Sequence, residues 1–315
     1  MAMKPDLVES KADAQMIVDR VVAGPTVAAI ANMQGGAISA LFEITFGDDH
    51  APLVLKVYPD DLHWKMRKEV TVSSLVQNTL TVPVPRILLA DDTKSVLGLN
   101  FILMDKLHGD VLRYLKPSPN EQETSSVYRR IGQVLRELHR ITMTAFGYIG
   151  PDGVWTPHSS NYVYMSLQFE KKLREFTERG GPPATTERIA AFVDARDHLF
   201  RECTIPVLCH NDLHSENVLV TRDGSLRVTG VVDFEGALAG DPLMDVAKAL
   251  YYERSDKQKV AALLAGYGPM ERHRWMETLD LYHLYYAIEL WCWVVQRGNE
   301  EAVGKAGREI DSYST

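Results

Sequence analysis

No stretch of this chain stays apolar for long enough to cross a bilayer. The most hydrophobic region, towards the C-terminal end, is interrupted by His283 and Glu289, whereas a spanning helix needs about 20 consecutive apolar residues. Cysteine is scarce. Cys203, Cys209 and Cys292 are odd in number and lack metal-ligand spacing, so they read as free thiols in a reducing compartment. Basic residues do not dominate: 34 Lys and Arg stand against 42 Asp and Glu, a formal net charge of -8. The footprint of a nucleic-acid-binding surface is therefore missing. The opening residues Met1 to Asp6 contain no apolar signal core. These absences predict a cytoplasmic globular protein with neither a membrane nor a nucleic acid as partner.

What is present is an ordinary globular balance, 45% hydrophobic and 24% charged over 315 residues. That length suits one large domain or two modest ones. Residues 7–23 carry apolar side chains at helical spacing. From about 28 to 104 the pattern is strand-like, with a hairpin of Ala37–Phe46 and Leu53–Tyr58 around Gly47-Asp48-Asp49-His50. A helix is expected over 63–78, and further strands over Val82–Ala90 and Leu97–Met104. Beyond 104 the pattern turns helical: Val127–Ile141, then 166–178 and 185–201 on either side of Gly180-Gly181-Pro182-Pro183. Short strands are expected in Val207–Val220 and Ser225–Val232, then helices over most of 242–297. The outcome is an α+β fold of two lobes, a small β-rich N-terminal lobe over 1–104 and a larger, mainly helical lobe over 105–315.

The most informative segment is His210-Asn211-Asp212-Leu213-His214-Ser215-Glu216-Asn217-Val218-Leu219-Val220, followed by Val231-Val232-Asp233-Phe234. Phosphoryl transfer needs one group to orient the attacking hydroxyl and others to hold Mg²⁺ on the phosphates. Asp212 suits the first task, since its carboxylate can accept the hydroxyl proton late in the reaction. Asn217 and Asp233 suit the second, because Mg²⁺ takes oxygen ligands. The Asp-x₄-Asn spacing puts both side chains at one loop mouth, and the returning hairpin can bring Asp233 opposite Asn217.

This segment resembles the catalytic loop and metal-binding Asp-Phe of protein kinases. It is closer to the aminoglycoside phosphotransferase family, small-molecule kinases sharing that fold. Gly240-Asp241-Pro242-Leu243-Met244-Asp245-Val246-Ala247 adds a third block at family-like spacing. The resemblance implies a protein-kinase-like two-lobe fold and a donor nucleotide, ATP or GTP, with Mg²⁺. Lys56, in Leu53-Val54-Leu55-Lys56-Val57-Tyr58, would neutralise the phosphates, with Glu69 as its ion-pair partner. Gly35, Gly36 and Ser39 would cover the phosphates, although the loop lacks a full G-x-G-x-x-G. The adenine would bond backbone groups around Met104, Asp105 and Leu107. Asp241 is expected to cap a helix or tie the loop together, with Pro242 at the first helical position; His210 is expected to brace the loop by hydrogen bonds, and Asp245 to be structural.

Two departures separate the chain from protein kinases. Asn211 replaces the Arg that precedes the catalytic Asp. Only the short run Phe234 to Gly240 lies between Asp233 and Asp241, too little for an activation segment, so no protein substrate is expected. The acceptor is read as a small hydroxylated molecule of cationic character, an aminoglycoside or related antibiotic. Choline, homoserine or a macrolide remain as alternatives, as does a non-catalytic nucleotide-binding module. Glu235, His214, Asp280 and Glu289 are the candidate acceptor contacts. The aromatics spaced along Leu279–Val294 are expected to be core, and the charged residues past 240 to form a solvated face.

Overall fold

The computed structural model describes residues 10–21, 24–33 and 39–313. Its strands are β1 Val27–Asn32, β2 Ala40–Phe46, β3 Leu53–Tyr58, β4 Ile87–Asp91, β5 Asn100–Asp105, β6 Asp110–Val111, β7 Gly147–Gly150, β8 Gly153–Val154, β9 Val207–Cys209, β10 Val218–Asp223, β11 Ser225–Val231 and β12 Leu238–Gly240. Its helices are α1 Lys11–Val18, α2 His63–Val76, α3 Glu121–Leu138, α4 Asn161–Glu178, α5 Pro183–Asp194, α6 Pro242–Tyr251, α7 Lys257–Tyr267, α8 Trp275–Gln296 and α9 Glu300–Tyr313. Two compact units result. The first combines the described residues up to Ser118 with Gly150–Gly153 and Ser215–Ala237. The second combines Pro119–Ile149, Val154–His214 and the chain from Leu238 onward.

The first unit is built on an antiparallel sheet ordered β1-β2-β3-β5-β4. Every residue of the central strand β3 is buried. Alternation along a strand sends neighbouring side chains to opposite faces. Leu53, Leu55 and Val57 pack with Ala14, Ile17 and Val18 of α1, while Val54 and Tyr58 pack with Met66 of α2. Each such side chain contributes roughly 1.5–3 kcal/mol on burial. The same alternation puts Lys56 on the α2 face. A second small sheet, ordered β11-β10-β6, belongs to this unit, and its β10–β11 hairpin turns at Asp223-Gly224-Ser225 as the Asp-Gly pair suggested. The strand expected at Val82–Ala90 shrinks to Ile87–Asp91. Pro83 and Pro85 have no N–H for a ladder, and the Pro83 carbonyl instead accepts from the Val231 N–H.

The second unit is mainly helical. Asn120 and Glu123 form a reciprocal capping box at the start of α3. Helices α3 and α7 meet backbone to backbone. A Cβ on Gly132 would lie 2.1 Å from the Leu263 carbonyl oxygen, and one on Gly266 would lie 1.9 Å from that of Arg129. Helix α8 is apolar on nearly every side: Tyr282, Tyr285, Tyr286 and Trp291 are core, as expected, while Trp293 is exposed. The charged residues past 240 are not uniformly solvated. Glu253 is buried, accepting from the Tyr128 hydroxyl and from Lys259. Helix α9, not expected from the sequence, docks Ala306 and Ile310 into the core.

Two stability predictions follow from these contacts. Gly132→Ala should destabilise the protein by about 1–3 kcal/mol, because the new methyl group meets rigid backbone; a urea midpoint unchanged from the parent would refute this. His283 of α8 is buried, and burial, reinforced by the Arg254 cation, pushes its pKa down to about 4. In the unfolded chain it titrates near 6.5. Below that pH the unfolded state binds the extra proton, so stability should fall as pH drops from about 6.5 to about 4, by about 3 kcal/mol in all. His283→Leu should flatten that part of the pH–stability curve.

Candidate active site

In the first unit, Lys56 is the centre of a buried charge cluster. Its Nζ lies 2.7 Å from Glu69 Oε2, 2.7 Å from Asp233 Oδ1 and 3.1 Å from Glu235 Oε2. The three carboxylates approach within 4.8 Å of one another. Burial alone would lower the Lys56 pKa. The neighbouring Asp233 and Glu69 outweigh it and hold the ammonium well above its usual value. Burial pushes the Glu69 carboxyl up, with Lys56 opposing. The Tyr58 hydroxyl donates to the same Glu69 oxygen that receives Lys56, and the Tyr58 ring lies 5.2 Å from the Lys56 ammonium.

Local geometry explains why these groups meet. Lys56 and Tyr58 are two residues apart on one face of β3, and α2 covers that face. Asp233 has left-handed backbone angles, φ 69° and ψ 67°, costly for a residue with a side chain and common at functional sites. This bend follows β11 and leads into the short 3₁₀ turn Phe234–Gly236. Glu235, a candidate acceptor contact by sequence, turns to the lysines instead: Lys65 of α2 sits 3.3 Å from its other oxygen. Asn217 lies beside the same bend, its carbonyl accepting from the Val232 N–H at 3.1 Å, so the hairpin brings positions 217 and 233 together. Lys68 is buried, and burial followed by the Lys65 charge lowers its pKa to about 8. Ser39 is buried; Gly35 and Gly36 lie outside the described residues. Met104 is buried on β5. The Asp105 N–H is committed to the Arg86 carbonyl, and Leu107 packs on Gly230.

In the second unit, the loop bearing Asp212 is fixed from behind. Asp245 of α6 accepts the backbone N–H groups of His210 and Asn211, each at 2.8 Å. His139 Nε2 lies 3.1 Å from Asp245, and its Nδ1 lies 2.9 Å from the Tyr267 hydroxyl. The Tyr286 hydroxyl donates to Asn211 Oδ1 at 2.8 Å. Asp241 caps α6 through the Leu243 N–H and takes a two-point contact from Arg272. Asp212 itself keeps 38% of its side-chain surface accessible, with His214 Nε2 3.4 Å away. Burial raises its pKa, but His214, Lys248 and His210 outweigh this and hold it below the ordinary carboxylate value. Asp212 is therefore ionised at neutral pH.

Of the other candidate contacts, Glu289 accepts a 2.9 Å bond from Lys248. Asp280 is nine residues earlier on α8, about 180° around the helix from Glu289; its carboxyl is raised by burial and by Glu277. The structure thus gathers Lys56, Glu69, Asp233 and Glu235 in one cluster and His214 beside Asp212, and sets Asp280 apart from Glu289. Sequence reasoning missed Tyr58, Lys65, His139 and Lys248, and read Tyr286 only as a core aromatic. Tyr58 was findable as the same-face neighbour of Lys56, and Lys248 as the residue one turn beyond Asp245. His139 had no sequence signal.

Residues 30–279 match the phosphotransferase enzyme family. Solved structures with a similar fold include aminoglycoside phosphotransferase APH(4)-Ia, at 18% identity, a TM-score of 0.72 and coverage of 97% of this chain and 98% of that one. A GDP and kanamycin complex of an APH(2") enzyme aligns at 13% identity with a TM-score of 0.69, covering 95% and 97%. Curated relatives are acyl-CoA dehydrogenase family member 11 of Homo sapiens, 24% identical over 212 residues, and family member 10 of Mus musculus, 29% identical over 173. These alignments take in 64% and 53% of this chain but only 24% and 15% of those proteins, so the chain spans about a quarter or less of their length. The matched family and the shared fold, taken with the lysine–carboxylate cluster and the braced Asp212 loop, show that this chain belongs to the phosphotransferase enzyme family of small-molecule kinases.

Proposed function

We propose that the protein transfers the terminal phosphoryl group of ATP or GTP to a hydroxyl of a small metabolite. The observation that carries this reading is the Lys56 ammonium shared at 2.7 Å by Glu69 and Asp233, a cation held ready for phosphate oxygens. Asp212 would accept the hydrogen bond of the acceptor hydroxyl and take its proton as the new O–P bond forms. The bond from the terminal phosphorus to the bridging oxygen breaks, and the nucleoside diphosphate leaves. Lys56 would steady the donor phosphates while Glu69 and Tyr58 keep its side chain in place. Mg²⁺ fits this chain: Asn217 and Asp233 offer oxygen donors, and Lys56 does not balance the three nearby carboxylates by itself. Bound there, the ion would neutralise charge on the phosphate oxygens. The run from Phe234 to Gly240 holds only a short turn and β12, which supports a small acceptor over a protein one.

Solved neighbours carry kanamycin, hygromycin B or gentamicin, which supports an aminoglycoside as acceptor. The charge pattern favours a metabolite instead. Glu253 is bonded to Tyr128 and Lys259, Glu277 to Arg274, and Glu289 to Lys248, while Asp256 caps α7. Those carboxylates already have partners within the chain, and a polyamine would have to displace them.

The test is an acceptor panel with Mg²⁺ and ATP or GTP: kanamycin, choline, homoserine, and an acyl-CoA that carries a hydroxyl, since the curated relatives are named for acyl-CoA. Phosphorylated product should appear by mass spectrometry with at least one acceptor. Asp212→Ala should lower kcat by roughly 10²–10⁴-fold. Nucleotide binding without any turnover would instead favour a non-catalytic module, and full activity in the Asp212 variant would remove that residue from the mechanism.

A further inference from the structure

The surroundings of Asp212 contain a cation that the phosphotransferase reading leaves without a task. Lys248 is on α6, one helical turn beyond Asp245, the residue that fixes the Asp212 loop from behind. Its ammonium lies 4.4 Å from the centroid of the Tyr286 ring. The hydroxyl of that same tyrosine donates to Asn211, the residue before Asp212, at 2.8 Å and lies 3.3 Å from the Met244 carbonyl. One aromatic side chain therefore locks the lysine and the catalytic loop to each other. Glu289, one turn beyond Tyr286 on α8, closes the arrangement by accepting from Lys248 at 2.9 Å.

Accessibility divides the pair unequally. Glu289 keeps 36% of its side-chain surface accessible and Lys248 keeps 10%, against 38% for Asp212. Burial is nonetheless the largest influence on the ionisation of Asp212 and Glu289. Glu289 is thus the more accessible member of the pair and Lys248 the more enclosed.

Resting on the phosphotransferase reading, we propose that Lys248 is the acceptor-reading residue of this site. It selects a hydroxylated acceptor bearing a carboxylate or phosphate, with Glu289 occupying the ammonium until that anion displaces it. Exchanging one anionic partner for another keeps the buried cation paired and adds charge-assisted hydrogen bonds to the acceptor. A polycation meets the opposite situation, since its ammonium groups would face Lys248, and like charges brought together oppose binding. Lys172, whose charge also acts on Glu289, adds to that bias.

The experiment compares three acceptor classes on the purified full chain with MgATP: hydroxycarboxylic acids, sugar phosphates and the polycation kanamycin. Turnover should occur with an anionic class, and the responding arm tells carboxylate from phosphate. Lys248→Met should raise the KM of that acceptor by roughly 10- to 100-fold, the worth of one hydrogen bond to a charged group. The KM for MgATP should stay within about twofold, and Lys248→Arg should recover most of the loss. Should Lys248→Met fail to fold, Glu289→Gln offers an independent reading: with the competing carboxylate gone, the anionic acceptor's KM should fall. Preferred turnover of kanamycin, or a Lys248→Met effect spread equally over both substrates, would overturn the proposal while leaving the phosphotransferase reading intact. No turnover with these classes while choline is phosphorylated would likewise overturn the proposal alone, and no turnover with any acceptor of either panel would end the phosphotransferase reading, and the proposal with it.

Discussion

A lysine ammonium buried among three carboxylates is the constraint around which the first unit is organised. Taking such charges out of water costs several kcal/mol per ion unless each finds a partner. Lys56 meets that cost with two contacts at 2.7 Å and a third at 3.1 Å. The partners come from three places in the chain: α2, the strained residue after β11, and the turn that follows it. Each must be in position for the buried ammonium to have all its partners. The cluster therefore reports whether α2 and the Asp233 bend are correctly placed. Lys65 adds a direct bridge from α2 to Glu235.

The second unit solves a different problem, which is holding an exposed carboxylate in a fixed pose. Asp212 must stay accessible, so its rigidity comes from its neighbours. Two backbone N–H groups ahead of it are gripped by one fully buried carboxylate, Asp245, and that carboxylate is oriented by His139. Tyr286 fixes Asn211 from the side. Under the proposed mechanism the loop would present Asp212 with little freedom to lose when an acceptor binds, which is how positioning lowers a barrier. The same scaffold carries Lys248 and Glu289, joined to the loop through Tyr286.

How the glycines and prolines act shows where local sequence signals stop. Asp223-Gly224 announces its turn, and Pro83 and Pro85 shorten a strand for reasons visible in the residues themselves. Gly132 and Gly266 look unremarkable in sequence, since a glycine inside a helical pattern is merely unfavourable. Only the crossing of α3 on α7 reveals that each is opposite a backbone carbonyl with no room for a methyl group.

The sequence by itself determined the α+β class and most element positions, and it singled out Lys56, Glu69 and Asp233, which meet in one cluster, with Asn217 beside the Asp233 bend. It could do so because strand alternation and fixed loop spacings are local: Lys56 must share a β3 face with Tyr58, and the β10–β11 hairpin must return Asp233 towards Asn217. Tertiary structure alone decided the partners of the remaining charges. Glu235 faces Lys56 of β3 and Lys65 of α2, Glu289 is claimed by Lys248, Glu253 is buried, and Asp280 points away from Glu289. Such pairings depend on which helix faces pack together, at sequence separations of 41 residues for Lys248 and Glu289 and 170 for Lys65 and Glu235. A charge in sequence carries no mark of the partner it will meet across such a distance.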